Sequence, residues 1–276
     1  MIYKGKTALI TGASAGIGAE FARQLAAKGA DLVLVARRLD RLQALANELS
    51  ASAGIKVQVE TLDLSDAASC QTLAARLSAA GIPVDILVNN AGFGLPGSFV
   101  SQPWNAHLES LQVLLIAPTE LTRHLLPAML DRRYGRVVNV ASLAGLVPAS
   151  AGHTTYGAIK SYLIRWSASL SMEVKSKGVN VLALCPGFTY TEFHDVNGAR
   201  KLVSRLPKFM WMDAKTVVRQ AIAAMERGDA VLINGNWNNF VAGFSKYLPN
   251  FIGSWLVNRQ AKNFREQNPN EITSKH

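Results

Sequence analysis

Seven short runs of β-branched and aliphatic residues recur along the chain: KTALIT (6–11), DLVLVAR (31–37), KVQVETLDL (56–64), VDILVNN (84–90), GRVVNVAS (135–142), VNVLALCPG (179–187) and AVLING (230–235). They are close to continuously apolar rather than alternating, the pattern of strands in a parallel sheet covered on both faces. Between them, GAEFARQLAAKGA (18–30), DRLQALANELSASAG (40–54) and DAASCQTLAARLSAAG (66–81) carry apolar residues at helical spacing and stop at or near glycine. Strand–helix alternation of this kind predicts an α/β fold, a doubly wound parallel seven-stranded sheet flanked by helices, the Rossmann fold. There is no internal repeat, low-complexity tract or linker. The expected organisation is one domain over residues 1–240 and an amphipathic C-terminal extension over 241–276.

Composition narrows the class. The chain has 276 residues, 49% hydrophobic and 17% charged, enough for a large core and unlike a disordered segment. No apolar run reaches the length of a membrane span, and MIYKGKTALI leads straight into a strand without a signal-peptide pattern. Two cysteines, Cys70 and Cys185, both in apolar settings, read as reduced buried thiols rather than a disulfide or a metal site. A cytoplasmic location is the resulting expectation. The formal charge of +10 suits nucleic acid, an anionic membrane surface or a phosphorylated cofactor. From Arg200 onward there are 12 Lys/Arg against 5 Asp/Glu. No nucleic-acid motif accompanies this excess, so it is read mainly as solvated surface.

TGASAGIG, Thr11 to Gly18, follows the first strand and opens the first helix. Gly12, Gly16 and Gly18 give a tight turn, a close approach to a pyrophosphate and close helix packing, and the helix N-terminus offers free N–H groups. With Ser14 and Ile17, these residues are the candidate phosphate cradle. At the end of the second strand, where a NAD site typically carries an acid, the chain reads Ala36, Arg37, Arg38. A 2′-phosphate repels a carboxylate and attracts guanidinium, so Arg37 and Arg38 point to NADP(H).

HTTYGAIKSY, His153 to Tyr162, places Tyr156 and Lys160 four residues apart, one helical turn. At roughly 5 Å and an effective dielectric of about 20, an ammonium stabilises a phenolate by about 3 kcal/mol, or about two pKa units. Such a pair can exchange protons near neutrality, but the spacing alone is common in ordinary helices.

These segments together resemble the short-chain dehydrogenase/reductase family. TGASAGIG, NNAG (Asn89–Gly92), Ser142 after the fifth strand, YGAIK and CPGFTYTEF stand in the family's order and spacing over nearly the whole chain. The resemblance implies Ser142, Tyr156 and Lys160 as catalytic residues. Tyr156 would donate a proton to the substrate oxygen, Lys160 would lower the phenol pKa and bond the nicotinamide ribose, and Ser142 would polarise the carbonyl. It also implies that Asp63 contacts the adenine and that the NNAG segment, with Asn90, supports the sheet beside the cofactor. Pro186 and Gly187 would border the nicotinamide; Thr189 and Thr191 would hold its carboxamide and phosphates. Members usually form dimers or tetramers, so a homo-oligomer is expected.

One position departs from the pattern. Where the family often carries an asparagine that holds a relay water, this chain has Leu114, and Gln112 lies too far round the helix to replace it. The rival reading that follows is a non-catalytic NADP(H)-binding sensor or scaffold. Apolar and aromatic segments near the expected substrate end (GFGLPG, SLAGLV, Phe188, Tyr190, Phe193 and FMWM) favour a hydrophobic carbonyl compound if they line one cleft. His153 is left outside the catalytic set. In the C-terminal extension, Phe240, Phe244, Tyr247, Leu248, Phe251, Ile252 and Trp255 fall at three- and four-residue steps among basic residues. They read as a lid, an oligomer contact or a peripheral membrane element.

Overall fold

The computed structural model describes residues 1–95, 97–149, 152, 154–192 and 207–247. His153, Phe193 and the C-terminal extension from Leu248 onward lie outside them. All seven apolar runs form strands of one sheet: β1 (Thr7–Thr11), β2 (Asp31–Ala36), β3 (Val57–Thr61), β4 (Ile86–Asn89), β5 (Gly135–Val140), β6 (Val179–Cys185) and β9 (Val231–Ile233). Their order is β3-β2-β1-β4-β5-β6-β9, and every pairing is parallel.

Each strand needs apolar residues at successive positions because both faces are covered. On one face Ile10, Leu34, Val88, Val138 and Leu184 meet α1 (Gly16–Ala27), α2 (Leu39–Ala53) and α7 (Ala214–Arg227). On the other, Leu9, Val33, Leu87, Val137 and Val181 meet α3 (Ser69–Ala79) and α5 (Ala117–Asp131), with Val174 of α6 (Thr154–Val174). The sheet order reverses between β1 and β4, so the loops after those strands diverge and leave a crevice at their C-terminal ends.

Three features lie beyond the hydrophobic pattern. A short parallel ribbon pairs β7 (Phe188–Tyr190) with β8 (Trp211–Asp213). The helix before β5 is interrupted: α4 (Trp104–Leu111) passes through a π turn at Gln112–Ile116 before α5 begins. The last described helix, α8 (Asn236–Tyr247), runs across residue 240 without a break.

Candidate active site

Two loops meet at the crevice. The glycine-rich turn after β1 has left-handed backbone at Gly12 (φ 65°) and Gly16 (φ 56°), where a side chain is strained. A Cβ at Gly12 would lie 2.8 Å from Ala91 Cα, and one at Gly18 would meet Gly12 O and, at 2.5 Å, Asn90 Nδ2. Asn90 holds the turn from the β4 side, donating through Nδ2 to Thr11 O (3.0 Å) and Gly12 O (3.2 Å). Thr11 Oγ1 returns the contact, accepting from the main-chain N–H groups of Asn90 and Ala91. Ile17 lies half-buried against the core beneath. The first turn of α1 has no acidic residue and no side-chain cap, so its N–H groups face the crevice uncapped.

Next to this cradle is an arginine cluster. Arg38 donates to Ser14 Oγ (3.1 and 3.3 Å) and to Glu192 (3.2 Å), while Arg41 donates to the same Glu192 carboxylate at 2.7 and 2.8 Å. Those bonds hold the Glu192 carboxyl below its usual range, Arg41 contributing most. Arg37 is turned away, its guanidinium 3.7 Å from Asp63. Burial raises the Asp63 carboxyl, but bonds from Ser65 and the charge of Arg37 outweigh it and bring the group below its usual value.

At the other end of the crevice, β5 delivers Ser142 and α6 delivers Tyr156 and Lys160. Ser142 Oγ accepts from Ala144 N (3.1 Å), which fixes its rotamer at the start of a short 3-10 turn. Ser142 is hydrogen-bonded to Tyr156. Lys160 is buried, donates from Nζ to Val140 O at 2.7 Å, and stands 5.5 Å from the centre of the Tyr156 ring. The three predicted catalytic residues are therefore brought together. Burial pushes the Tyr156 phenol up to about 12, opposed by the Ser142 bond. It pushes the Lys160 ammonium down to about 8, opposed by Cys185. The lowering of the phenol by lysine that the sequence suggests does not appear here: desolvation dominates, and the bond with Ser142 is what opposes it.

Pro186 O accepts from Leu143 N (2.9 Å), tying the loop after β6 to the serine loop. A Cβ at Gly187 would run into the Asn238 side chain, so α8 sits directly on this turn. Thr189 is buried and donates to Gly187 O (3.2 Å), and the Thr191 side chain lies against Gly16. Residues 6–201 match the short chain dehydrogenase family.

The chain belongs to the short-chain dehydrogenase/reductase family.

A ketoacyl reductase of Nostoc sp. is 37% identical over 185 residues, 67% of this chain and 63% of that protein, so the match spans under two thirds of the relative's length. A short-chain dehydrogenase from Sphingobium yanoikuyae, solved in complex with NADPH, superposes with a TM-score of 0.78 at 32% identity, covering 88% of this chain and 96% of that one. The bulky-bulky ketone specific alcohol dehydrogenase from Comamonas testosteroni gives 0.73 at 30% identity, covering 88% and 95%.

As an oxidoreductase of this family, the chain shows site features that its sequence did not announce. Glu192 is joined to Arg38 and Arg41 only by the fold, since it stands 151 residues from Arg41. His107 is buried beside Tyr156's helix, with Nε2 2.9 Å from Phe99 O and Nδ1 3.3 Å from Thr155 Oγ1. It lines a cleft with Leu95, Phe99, Thr155 and Tyr156. The aromatic segments do not line this cleft together. Tyr190 stacks on Trp211 and Phe188 meets it tilted along the β7–β8 ribbon, whereas Phe209 joins Trp237 of α8 edge-on. Leu114 is buried, and its Cδ2 lies where a Gly92 Cβ would come within 2.6 Å.

Proposed function

We propose that the protein interconverts a hydrophobic ketone or aldehyde and its alcohol with NADP(H), with Ser142, Tyr156 and Lys160 as catalytic residues. The observation that carries this reading is the cluster of half-buried Ser142 and Tyr156 with buried Lys160, at the same crevice as a glycine cradle and a Ser14–Arg38–Arg41 cluster. NADP(H), when bound, supplies or removes the hydride. Its phosphates suit the uncapped start of α1 and the left-handed turn at Gly12 and Gly16, where a side chain would close the approach. The 2′-phosphate suits Ser14 and Arg38, with Glu192 marking where an anion already satisfies both Arg38 and Arg41. Asp63, Asn90, Pro186, Gly187, Thr189 and Thr191 complete the proposed cofactor site.

Reduction leaves negative charge on the substrate oxygen, and two hydroxyl donors are placed to receive it. Ser142 orients the oxygen. Tyr156, whose phenol burial keeps protonated at neutral pH, donates the proton. Lys160 then compensates the phenolate with its charge. The neighbouring cleft sets Leu95 and Phe99 beside polar side chains that include Ser98, Gln102, His107 and Thr155, so it offers a carbonyl compound an apolar edge and several hydrogen-bonding groups. The preference for a bulky apolar ketone is supported by similarity to the bulky-bulky ketone specific alcohol dehydrogenase of Comamonas testosteroni.

The reading includes self-association, supported by exposed Trp104, Leu108 and Ile116 along α4 and the π turn. Membrane contact through the C-terminal segment rests on the exposed Phe240 and Phe244 of α8. No helix among the described residues is long and apolar enough to cross a membrane. The test is steady-state reduction of a panel of hydrophobic ketones with NADPH and with NADH. The expected result is turnover with NADPH preferred at least tenfold; NADPH binding without reduction of any carbonyl compound would favour the sensor reading.

A further inference from the structure

Lys160 has three N–H donors, and Val140 O is the one acceptor they meet among the described residues. Lys160 lines a small cavity of about 10 Å³, room for the centre of one water. The walls include Val113, Leu114, Ala117 and Leu163, all apolar, with polar side chains from Thr11 and Asn89. Thr11 Oγ1 is fully engaged: it donates to Val88 O and accepts from two main-chain N–H groups. Asn89 is the exception.

The orientation of the Asn89 amide is fixed by a ladder of buried hydrogen bonds. Ser167 Oγ donates to Leu163 O at 2.6 Å, so it accepts from Asn139 Nδ2 at 2.9 Å. Asn139 Oδ1 therefore faces Asn89 and accepts from its Nδ2 at 2.8 Å. The same Nδ2 also lies 3.2 Å from Thr122 Oγ1 and 3.3 Å from Pro118 O. A flipped amide would set two carbonyl oxygens against each other. Asn89 Oδ1 consequently points away from the ladder, and it is buried without a partner among the described residues. Asn89 is 6% exposed, so bulk water does not compensate it.

Lys160, with N–H donors to spare, and Asn89, with an acceptor without a partner, thus line one cavity of single-water size. We propose that this cavity holds one water that accepts from Lys160 Nζ and donates to Asn89 Oδ1, making Asn89 a positioning residue that supports the lysine in place of the amide absent at position 114. Leu114 fits this arrangement. Its side chain lines the cavity, with Cδ2 towards Gly92, while Asn89 of β4 contributes a polar side chain. The water and the amide dipole stabilise the cation, so Lys160 stays charged to higher pH than burial alone allows. The titratable groups that face it are Tyr156 on its own helix and Cys185 at the end of β6. The residues that β1, β4 and the π turn contribute to the cavity carry none.

The water site stands independently of the reductase reading; its catalytic consequence rests on that reading. A high-resolution crystal structure of the full chain with NADPH tests the site. One ordered water within 3.2 Å of both Nζ and Oδ1 is expected, and a dry cavity overturns the proposal whatever the protein catalyses. The consequence is read from the pH profile of ketone reduction. Asn89→Ala should move the alkaline limb of kcat about one unit towards acid, and Asn89→Asp, which keeps an acceptor and adds negative charge, should move it the other way. Both should leave the KM for NADPH within threefold of wild type. Ser167→Ala, which cuts the ladder on its far side, should leave the limb in place, because Pro118 O and Thr122 Oγ1 still accept from Asn89 Nδ2 and keep its Oδ1 turned away. Should Asn89→Ala fail to fold, Ala117→Val fills the cavity from an apolar wall and should give the same acid shift. Equal profiles for wild type and these variants would overturn the role of Asn89. A hydrated cavity in a chain that reduces no carbonyl compound would leave the site standing and contradict the reductase reading.

Discussion

Glu192 sits between two guanidinium groups that a phosphate would suit better, because two oxygens of one carboxylate already serve Arg38 and Arg41 while Ser14 offers a further contact. These groups are close to half exposed, so the ion pairs themselves contribute little to stability. Their weight falls on the cofactor. Arg38→Ala should weaken NADPH binding by roughly tenfold to a hundredfold, as a lost charge-assisted bond of about 1.5–3 kcal/mol implies, and leave NADH within threefold. Arg37→Ala should cost less, since that side chain is turned to Asp63. Glu192→Ala should tighten NADPH by freeing both arginines. Titration of each variant with both nucleotides checks the series, and equal losses for NADPH and NADH would sink the assignment.

Lys160 carries a stability cost that pH can read. Its folded pKa of about 8 lies below the ordinary lysine value, so between about pH 8 and 10.5 the unfolded chain binds the extra proton and stability rises with pH. Replacing it in Lys160→Met removes this dependence. The difference in unfolding free energy between wild type and Lys160→Met should shift in favour of wild type by at most about 3 kcal/mol from pH 7 to 10.5, less with the proposed amide-held water in place. Urea unfolding of both proteins at the two pH values measures it. A pH-independent difference would mean that the buried amine keeps its ordinary pKa and stays charged across this range.

At the scale of elements, the seven strands of the main sheet were legible because each is apolar on both faces, and that requirement leaves a strong mark in sequence. β7 and β8 have three residues each, too short for any period, and they pair only once the loop after β6 has folded back. The π turn at Gln112–Ile116 likewise has no sequence code. It matters because it lies where Leu114 meets Gly92 and the cavity beside Lys160. The closeness of Tyr156 to Lys160 and the glycine turn between β1 and α1 were readable since both depend on local spacing. Arg41, Glu192 and His107 were not, because their partners come from distant segments. Leu114→Asn should raise kcat severalfold if the missing amide limits proton supply; an unchanged or lower rate would indicate that Asn89 already supplies the support. Gly18→Ala should abolish cofactor binding, as its Cβ would collide with Gly12 O and Asn90 Nδ2 while the sheet beneath remains intact. Circular dichroism and NADPH fluorescence separate the two effects, and retained binding would contradict the close approach.

Across the whole molecule, the crevice at the strand-order reversal sets the cofactor cradle and the Tyr156 cluster at one edge of the sheet, with the β7–β8 ribbon and α8 over the loop after β6. Among the exposed apolar residues are two groups: Trp104, Leu108 and Ile116 along α4 and the π turn, and the ring ladder of Phe209, Trp237, Phe240 and Phe244. Isolated apolar residues are ordinary on a surface, but runs of this kind favour a cover. Light scattering should find a dimer or tetramer, and Leu108→Lys with Ile116→Lys should shift it towards monomer. A monomeric wild type would contradict the assembly.

The central claim is that Tyr156 delivers the proton to a carbonyl oxygen. It is tested most directly by NADPH oxidation against hydrophobic ketones, with Tyr156→Phe as the matched comparison at equal NADPH saturation. The account expects kcat to fall at least a thousandfold in the variant while its affinity for NADPH stays within threefold of wild type. Turnover that survives the loss of the hydroxyl would contradict it.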